Sequence, residues 1–151
     1  MSKQIDTSIE IQASASEVWS ELTAFESFSE WNPFIRNARG VVEPGGKLEV
    51  FIRPAGARGM TFRPTVIVVE PERTLRWYGR FLVPWLFDGE HTFRIESLSD
   101  NHVRFHHSET FSGVLVPLLW RTVGTNTRRG FEDMNRALKA RVERNARATK
   151  Q

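Results

Sequence analysis

Residues 87–111 read FDGEHTFRIESLSDNHVRFHHSETF, and in two parts of this stretch, Phe87–Leu98 and Val103–Phe111, apolar residues recur at odd-numbered positions. Because successive side chains of a strand point to opposite faces, this alternation predicts two β-strands whose odd-numbered side chains share one face. The intervening Ser99-Asp100-Asn101 is typical of a turn. The stretch therefore predicts an antiparallel hairpin with one apolar face.

That apolar face also carries three polar residues, His91, His107 and Glu109. Many apolar side chains with a few convergent polar ones are what a small-molecule pocket requires. The hairpin therefore indicates a protein that binds a hydrophobic ligand.

Upstream of the hairpin, the alternation in Asp6–Ile11 predicts a first strand. Ser14-Ala15-Ser16-Glu17 and Thr23-Ala24-Phe25-Glu26 both fit the capping box, which predicts two short helices in tandem. The second helix must end at Trp31-Asn32-Pro33, because the residue before a proline is driven out of the helical region.

Between Ile35 and Phe111 the chain is predicted to form six strands, separated at turn sequences such as Pro44-Gly45-Gly46, Pro54-Ala55-Gly56 and Glu70-Pro71-Glu72. A long amphipathic helix of roughly 28 residues, about 42 Å, is predicted from Pro117 onward. Its apolar side chains recur at spacings of three and four, at Leu119, Val123, Thr127, Phe131, Met134, Leu138 and Val142.

These elements predict an α+β fold: a curved seven-stranded antiparallel sheet, with two short helices after its first strand, wrapped around a long C-terminal helix. Residues 1–151 are expected to form a single domain, with a short basic tail from about residue 145. In this arrangement the inward-facing side chains of the sheet meet the last helix, namely Leu75, Trp77, Phe87, Phe93, Phe105 and Phe111 opposite Phe131 and Met134.

Composition excludes several classes of function. The chain has no cysteine, which rules out disulfides, thiolate metal sites and cysteine nucleophiles. The sequence has no run long and apolar enough for a membrane span, and Met1–Asp6 does not resemble a signal peptide, so an integral membrane protein is not expected and a cytoplasmic location is. Residues 121–151 hold nine Lys and Arg against three acids, which is typical of a solvated helix face, and the absence of aromatic residues after Phe131 argues against nucleic-acid binding.

The order of elements and six short segments resemble the SRPBCC superfamily, which has the START-like, helix-grip fold also found in the Bet v 1 allergens. The branch that the chain resembles is labelled polyketide cyclase/dehydrase-like. The segments are Glu30-Trp31-Asn32-Pro33-Phe34, Phe62-Arg63-Pro64, Leu75-Arg76-Trp77, Phe87-Asp88-Gly89-Glu90-His91, Phe111-Ser112-Gly113 and Gly130-Phe131-Glu132-Asp133-Met134-Asn135. The resemblance implies a deep hydrophobic cavity between sheet and C-terminal helix, used across the superfamily for lipids, hormones, quinones and polyketides.

A small hydrophobic ligand is accordingly the expected partner, and no cofactor is expected because the chain lacks the dinucleotide and phosphate-loop glycine motifs. Apart from the candidate catalytic pair below, the side chains expected to contact the ligand are Trp31, Phe34, Trp77, Trp85, Phe87, His91, Phe93, Phe105, Phe111, Trp120, Thr127, Phe131 and Met134.

His107 and Glu109 form a candidate catalytic pair, because two residues apart on a strand places them on one face about 6.6 Å apart. An imidazole base and a carboxylic acid so placed would suit a cyclase or dehydratase acting on a polyketide-like or aromatic substrate. Two alternatives stand beside this one. The pair can satisfy a buried polar spot, or His91, His107 and Glu109 can ligate a metal, although no metal site is favoured here.

Two apolar segments, Phe81–Phe87 and Val114–Trp120, would be costly to leave in water. They are expected to form a portal to the cavity, or to cover one another as core. A third class of function, a protein- or membrane-interaction module, would use the same segments, and the protein is expected to be a monomer or a homodimer.

Overall fold

The computed structural model describes residues 2–54, 56–80 and 83–150, and it confirms the α+β class. Ala55 of one predicted turn and the first two residues of the apolar segment Phe81–Phe87 lie outside the described residues. In chain order the elements are β1 (Ser2–Ile11), α1 (Ala15–Thr23), a 3-10 helix (Phe25–Ser27), α2 (Phe28–Trp31), β2 (Ile35–Gly40), β3 (Leu48–Ile52), β4 (Met60–Phe62), β5 (Thr65–Glu70), β6 (Thr74–Arg80), β7 (Asp88–Ser99), β8 (His102–Ser112) and α3 (Val116–Thr149).

The described strands are antiparallel and form two groups, in the order β1-β8-β7-β6-β5 and β2-β3-β4. Backbone hydrogen bonds join the groups where the chain enters β3 and β5: Gly45 N–H donates to the Val66 carbonyl, and Leu48 N–H donates to the Pro64 carbonyl. The predicted hairpin is confirmed as β7 and β8, and its register places His91 opposite Glu109. Its two strands lie at the centre of the larger group.

The described residues contain eight strands, so the predicted count of seven is wrong by one. Between the predicted turns at Pro54–Gly56 and at Glu70–Glu72 the structure has two strands, β4 and β5, separated by Arg63 and Pro64. Proline has no N–H to donate to a ladder, so the regular pairing of β4 with β3 is interrupted at Pro64, and β5 beyond it pairs with β6 on its other side.

The two helical segments after β1 differ in how they begin. Ser14 and Glu17 form the predicted capping box at the start of α1. The second predicted capping box is wrong, because the Thr23 hydroxyl donates instead to the Trp19 carbonyl and a 3-10 helix follows, leading into the single turn of α2. This segment ends at Asn32 as predicted.

Helix α3 spans 34 residues and is longer than predicted, since the residues from 145 to 149 are also helical. Charged side chains fix it along β1: the ammonium of Lys139 donates to the Glu10 carbonyl at 2.9 Å, and Glu143 accepts from the Gln12 N–H at 2.8 Å. Burial acts to raise the pKa of Glu143, but the hydrogen bonds from Gln12 and Lys139 outweigh it and lower the pKa. These contacts set the direction in which α3 crosses the sheet.

The core is one cluster of buried apolar side chains between the sheet and the helices. Among the predicted inward side chains, those buried are Leu75, Trp77, Phe93, Phe105, Phe111, Phe131 and Met134, while Phe87 is partly buried. None of the described helices has the length and apolar content that crossing a bilayer requires.

Candidate functional site

A cavity of about 260 Å³ lies between the sheet and the N-terminal part of α3. Its wall is mostly apolar, with Glu109 and His91 set into it and Arg58 and Arg80 among the lining residues. The apolar lining comes from β3 to β5 (Val50, Ile52, Pro54, Met60, Phe62, Pro64), from the neighbouring strands (Phe34, Trp77, Gly79, Phe87, Gly89, Phe111) and from α3 (Leu119, Val123), with Thr127 beside them. The volume lies near the lower end of the range of about 300–1,000 Å³ that is usual for ligand pockets.

The space under α3 is filled by aromatic rings at one end and left open at the other. At the filled end the Phe131 ring stacks on His107 with centroids 3.9 Å apart, and Phe93 stacks on Phe105. At the open end two glycines, Gly79 and Gly89, face each other across β6 and β7. A Cβ at Gly79 would meet only Pro64, at 3.7 Å, so the missing side chain is directly responsible for open volume.

Gly89 makes room for the carboxyl group of Glu109. A Cβ at Gly89 would lie 2.5 Å from Oε1 of Glu109, closer than van der Waals contact allows. The carboxyl therefore lies over Gly89, and the Glu109 side chain is 16% exposed at the cavity wall. A polar group in a wall of this kind fixes how a ligand is oriented.

Behind the wall, a chain of hydrogen bonds determines which atoms carry protons. The Thr7 hydroxyl donates to the His107 carbonyl at 2.8 Å and accepts from the Asn135 amide N–H at 2.9 Å. The Asn135 oxygen therefore faces Nδ1 of His107, 2.9 Å away, and Nδ1 must be the donor because an amide oxygen only accepts. His107 thus carries its proton on Nδ1.

His107 remains neutral in the folded protein. Burial, reinforced by the neighbouring His91, holds the pKa of His107 well below its ordinary value, although the hydrogen bond to Asn135 acts in the opposite direction. Nε2 of neutral His107 is an acceptor, so Nε2 of His91, 2.7 Å away, must donate to it.

The His91 side chain connects this chain of hydrogen bonds to the cavity wall. Its Nδ1 lies 3.4 Å from Oε2 of Glu109. The hydrogen bonds through Asn135, His107 and His91 therefore end beside the carboxyl group that faces the cavity.

The structure separates the two residues predicted as a catalytic pair. Glu109 reaches the cavity, whereas His107 is fully buried two residue pairs further along the hairpin and does not line it. His91, directly opposite Glu109 in the register, takes the place expected of His107. Alternation predicted correctly that these side chains lie on the inward face of the hairpin. Whether an inward side chain reaches the cavity depends on its position along the strand, because Phe131 of α3 fills the space beside His107.

Among the predicted ligand contacts, the cavity wall contains Phe34, Trp77, Phe87, His91, Phe111 and Thr127. The other side chains expected to contact the ligand lie outside this wall. Phe93, Phe105, Phe131 and Met134 are buried in the core and do not line this cavity. Trp31 packs against Phe28, Trp120 packs against Phe111 from outside the wall, and Trp85 is exposed.

Sequence reasoning missed the lining from β3 to β5 and the glycine pair. Val50 and Ile52, like Met60 and Phe62, are two residues apart, and this spacing was the available signal for a shared inward face. Gly79 and Gly89 carry no such pattern, because their effect depends on the register that pairs them.

The metal-ligand alternative does not fit this geometry. The Nε2 atoms of His91 and His107 face each other, and the two Nδ1 atoms face Glu109 and Asn135, so none points to a common centre with the others. Within the part of the chain that the structure describes, no group of three His, Asp or Glu side chains is placed to hold a metal ion.

Comparison with solved structures finds the same fold in proteins of distant sequence. An aromatase/cyclase from Streptomyces sp. R1128 is 14% identical with a TM-score of 0.78, and the match covers 99% of this chain and 98% of that one. A START superfamily protein from Mycobacterium smegmatis is 19% identical, with a TM-score of 0.71 and coverage of 93% and 97%. Norcoclaurine synthase from Thalictrum flavum, solved in complex with dopamine and hydroxybenzaldehyde, is 14% identical, with a TM-score of 0.70 and coverage of 94% and 87%.

These likenesses confirm the helix-grip fold that the sequence predicted. A comparison with proteins of curated function finds no match. The family model described as polyketide cyclase / dehydrase and lipid transport matches residues 2–143. The chain therefore belongs to the polyketide cyclase / dehydrase and lipid transport family.

Proposed function

We propose that the protein binds a small hydrophobic molecule in the cavity between the sheet and α3. The observation that carries this proposal is an apolar cavity kept open by Gly79, with a carboxyl group placed at one point of its wall. An apolar wall supplies binding free energy through burial, and Glu109 supplies orientation.

The volume favours a compact ligand. At about 260 Å³ the cavity suits a molecule of up to about three rings better than a full-length lipid. The aromatic side chains that line it, such as Trp77 and Phe111, are well suited to pack against a ring.

Binding is tested with N-phenyl-1-naphthylamine, a neutral two-part aromatic probe whose fluorescence rises in apolar surroundings. The Gly79→Val variant fills the cavity from a strand position that accepts a β-branched residue. The matched control is Thr110→Val, whose side chain is on the opposite face of β8 from the cavity-lining Glu109 and Phe111. We expect the wild type and the control to bind equally and the Gly79 variant to bind at least tenfold more weakly. Failure of the wild type to bind, or equal binding by all three proteins, would contradict the proposal.

A second candidate function, acid–base catalysis on the bound molecule, is favoured by the position of Glu109 in the cavity wall, with Nδ1 of His91 3.4 Å from its Oε2. As carboxylate, Glu109 can remove a proton from a carbon next to a carbonyl group. The electron pair left behind forms a C=C bond as the neighbouring hydroxyl leaves, and Glu109 returns the proton to it, so that water is released. Each turnover restores the original protonation state, and the reaction is a dehydration.

His107 and Asn135 are positioning residues in this candidate, because they fix the tautomer of His91 without reaching the cavity. The test uses a β-hydroxy ketone that carries one phenyl ring and follows the absorbance of the conjugated enone. We expect Glu109→Gln to abolish turnover while N-phenyl-1-naphthylamine still binds, and His107→Gln to change the pH profile of the rate. Turnover that persists in Glu109→Gln would exclude this candidate and leave the binding proposal intact.

A further inference from the structure

Exposed apolar side chains gather at the edge of the cavity. We define the rim patch as Val83, Trp85, Val114 and Leu118, which are 49%, 72%, 71% and 77% exposed. Two backbone hydrogen bonds hold its two segments together: Val114 N–H donates to the Trp85 carbonyl at 3.0 Å, and Leu115 N–H donates to the Leu86 carbonyl at 3.1 Å. The two segments that carry these side chains therefore lie side by side.

The rim patch borders the cavity, because residues next to it in the chain line the cavity wall. Phe87 follows Trp85 by two residues, and Leu119 follows Leu118 directly. The patch is thus separate from the binding wall itself, and neither Trp85 nor Leu118 lines the cavity.

The backbone holds Trp85 outward at a conformational cost. Trp85 has φ of 57°, the left-handed region that non-glycine residues rarely adopt. The buried carboxylate of Asp88 fixes this conformation by accepting from the Trp85 N–H at 3.1 Å, and it also accepts from the Tyr78 hydroxyl at 2.7 Å. The hydrogen bond to Asp88 raises the pKa of Tyr78. Trp85 thus has a strained backbone that a buried carboxyl group holds in place, while its side chain is exposed to water. This combination indicates that the side chain has a function other than packing in the core.

The charge around the patch is positive. Three segments carry the rim patch and cavity-lining residues near it in the chain, and these segments, residues 54–62, 78–89 and 112–122, contain Arg58, Arg80 and Arg121 and a single acid, Asp88. Asp88 is buried, whereas the three arginines are exposed. Arg121 lies three residues after Leu118 on α3, on the same face of the helix.

We propose that the rim patch docks on an anionic membrane surface and turns the cavity opening toward the bilayer. Tryptophan favours the boundary between water and hydrocarbon, because its ring is apolar and its N–H remains hydrated. Leu118, Val114 and Val83 bury apolar area in the same boundary, and the arginines attract anionic headgroups. Carboxylates would oppose such a surface, and none is exposed in these three segments.

The test is co-sedimentation with vesicles of phosphatidylcholine containing about 30% phosphatidylglycerol, compared with phosphatidylcholine alone. The double variant Trp85→Ser with Leu118→Ser removes the centre of the patch. The matched control is Ile67→Ser with Leu98→Ser, which removes two exposed apolar side chains of β5 and β7 outside the rim patch. We expect the wild type and the control to bind the anionic vesicles, and the double variant to bind about tenfold more weakly.

Binding of the wild type should also weaken in about 0.5 M salt and on neutral vesicles, because the arginine contribution is screened or lost. The double variant should still bind N-phenyl-1-naphthylamine, which shows that it is folded and keeps this result separate from the binding proposal. Equal sedimentation of the double variant and the wild type would overturn the inference. So would a wild-type dimer in solution that the double variant dissociates, because the patch would then be a subunit interface.

Discussion

Acidification should destabilise this protein through one buried histidine. His107 is fully buried and donates its Nδ1 proton to Asn135, and burial together with His91 keeps its pKa well below the ordinary value. The unfolded chain, in contrast, exposes this imidazole, which then takes up a proton near pH 6.5. Below that pH the unfolded state binds the extra proton and the folded state does not.

The sign and size of the effect follow from proton linkage. The stabilising contribution is complete above the unfolded pKa and is lost as pH falls from about 6.5 toward the folded pKa of His107. One group contributes about 1.4 kcal/mol per pH unit, so that at about pH 5 the free energy of unfolding is lower by about 2 kcal/mol.

The assay is urea unfolding of the wild type and of His107→Gln at about pH 7.5 and pH 5. Glutamine retains a donor toward Asn135 and an acceptor toward His91 but does not titrate. Carboxylates and the two histidines away from this site, His102 and His106, contribute similarly to both proteins, so the difference between their pH dependences isolates position 107 together with its partner His91. We expect the wild type to lose about 2 kcal/mol more than the variant over this interval. Equal losses would refute the argument that His107 is held neutral.

Three further predictions concern the helices that build the site. Ser14→Ala should lower the free energy of unfolding by about 1 kcal/mol in urea, because the capping box of α1 is lost; an unchanged midpoint would contradict this. Gly130→Ala should cost about 1–3 kcal/mol and weaken probe binding, because its Cβ would lie 2.2 Å from a ring carbon of cavity-lining Phe34; unimpaired binding of N-phenyl-1-naphthylamine would show that Phe34 moves elsewhere. Leu138→Ala should cost about 2–5 kcal/mol and leave probe binding unchanged in fluorescence titration, because Leu138 is buried in the filled end; weaker binding would show that the two ends are coupled.

Local sequence signals were sufficient for most elements and failed where a longer-range partner decided the outcome. Alternation identified β7, β8 and the inward face that carries His91 and Glu109. The capping pattern at Ser14 was correct, but the same pattern at Thr23 was not, because the hydroxyl found a partner in the preceding turn. The strand count failed at Pro64, where the chain exchanges one neighbouring strand for another.

The candidate site was recovered in part for the same reason. Successive side chains of a strand point to opposite faces of the sheet, so the sequence of one strand is enough to predict which side chains share a face. This rule correctly predicted that Glu109, Phe111 and Trp77 face inward. Whether an inward side chain lines open space or fills it depends on what packs opposite. That is why Phe93 and Phe105 were expected in the cavity and lie instead in the filled end.

The sequence by itself therefore determined most of the elements, their faces and the family, because alternation, turns and caps act over a few neighbouring residues. Only the tertiary structure decided that His91, and not His107, accompanies Glu109 at the cavity. It also decided that Gly79 and Gly89 leave room there, and that Trp85 is held in water. These outcomes depend on contacts that the pattern of a single strand or helix does not contain. Phe131 of α3 stacks on His107 of β8, and Gly79 and Gly89 are opposite each other only because β6 pairs with β7 in this register.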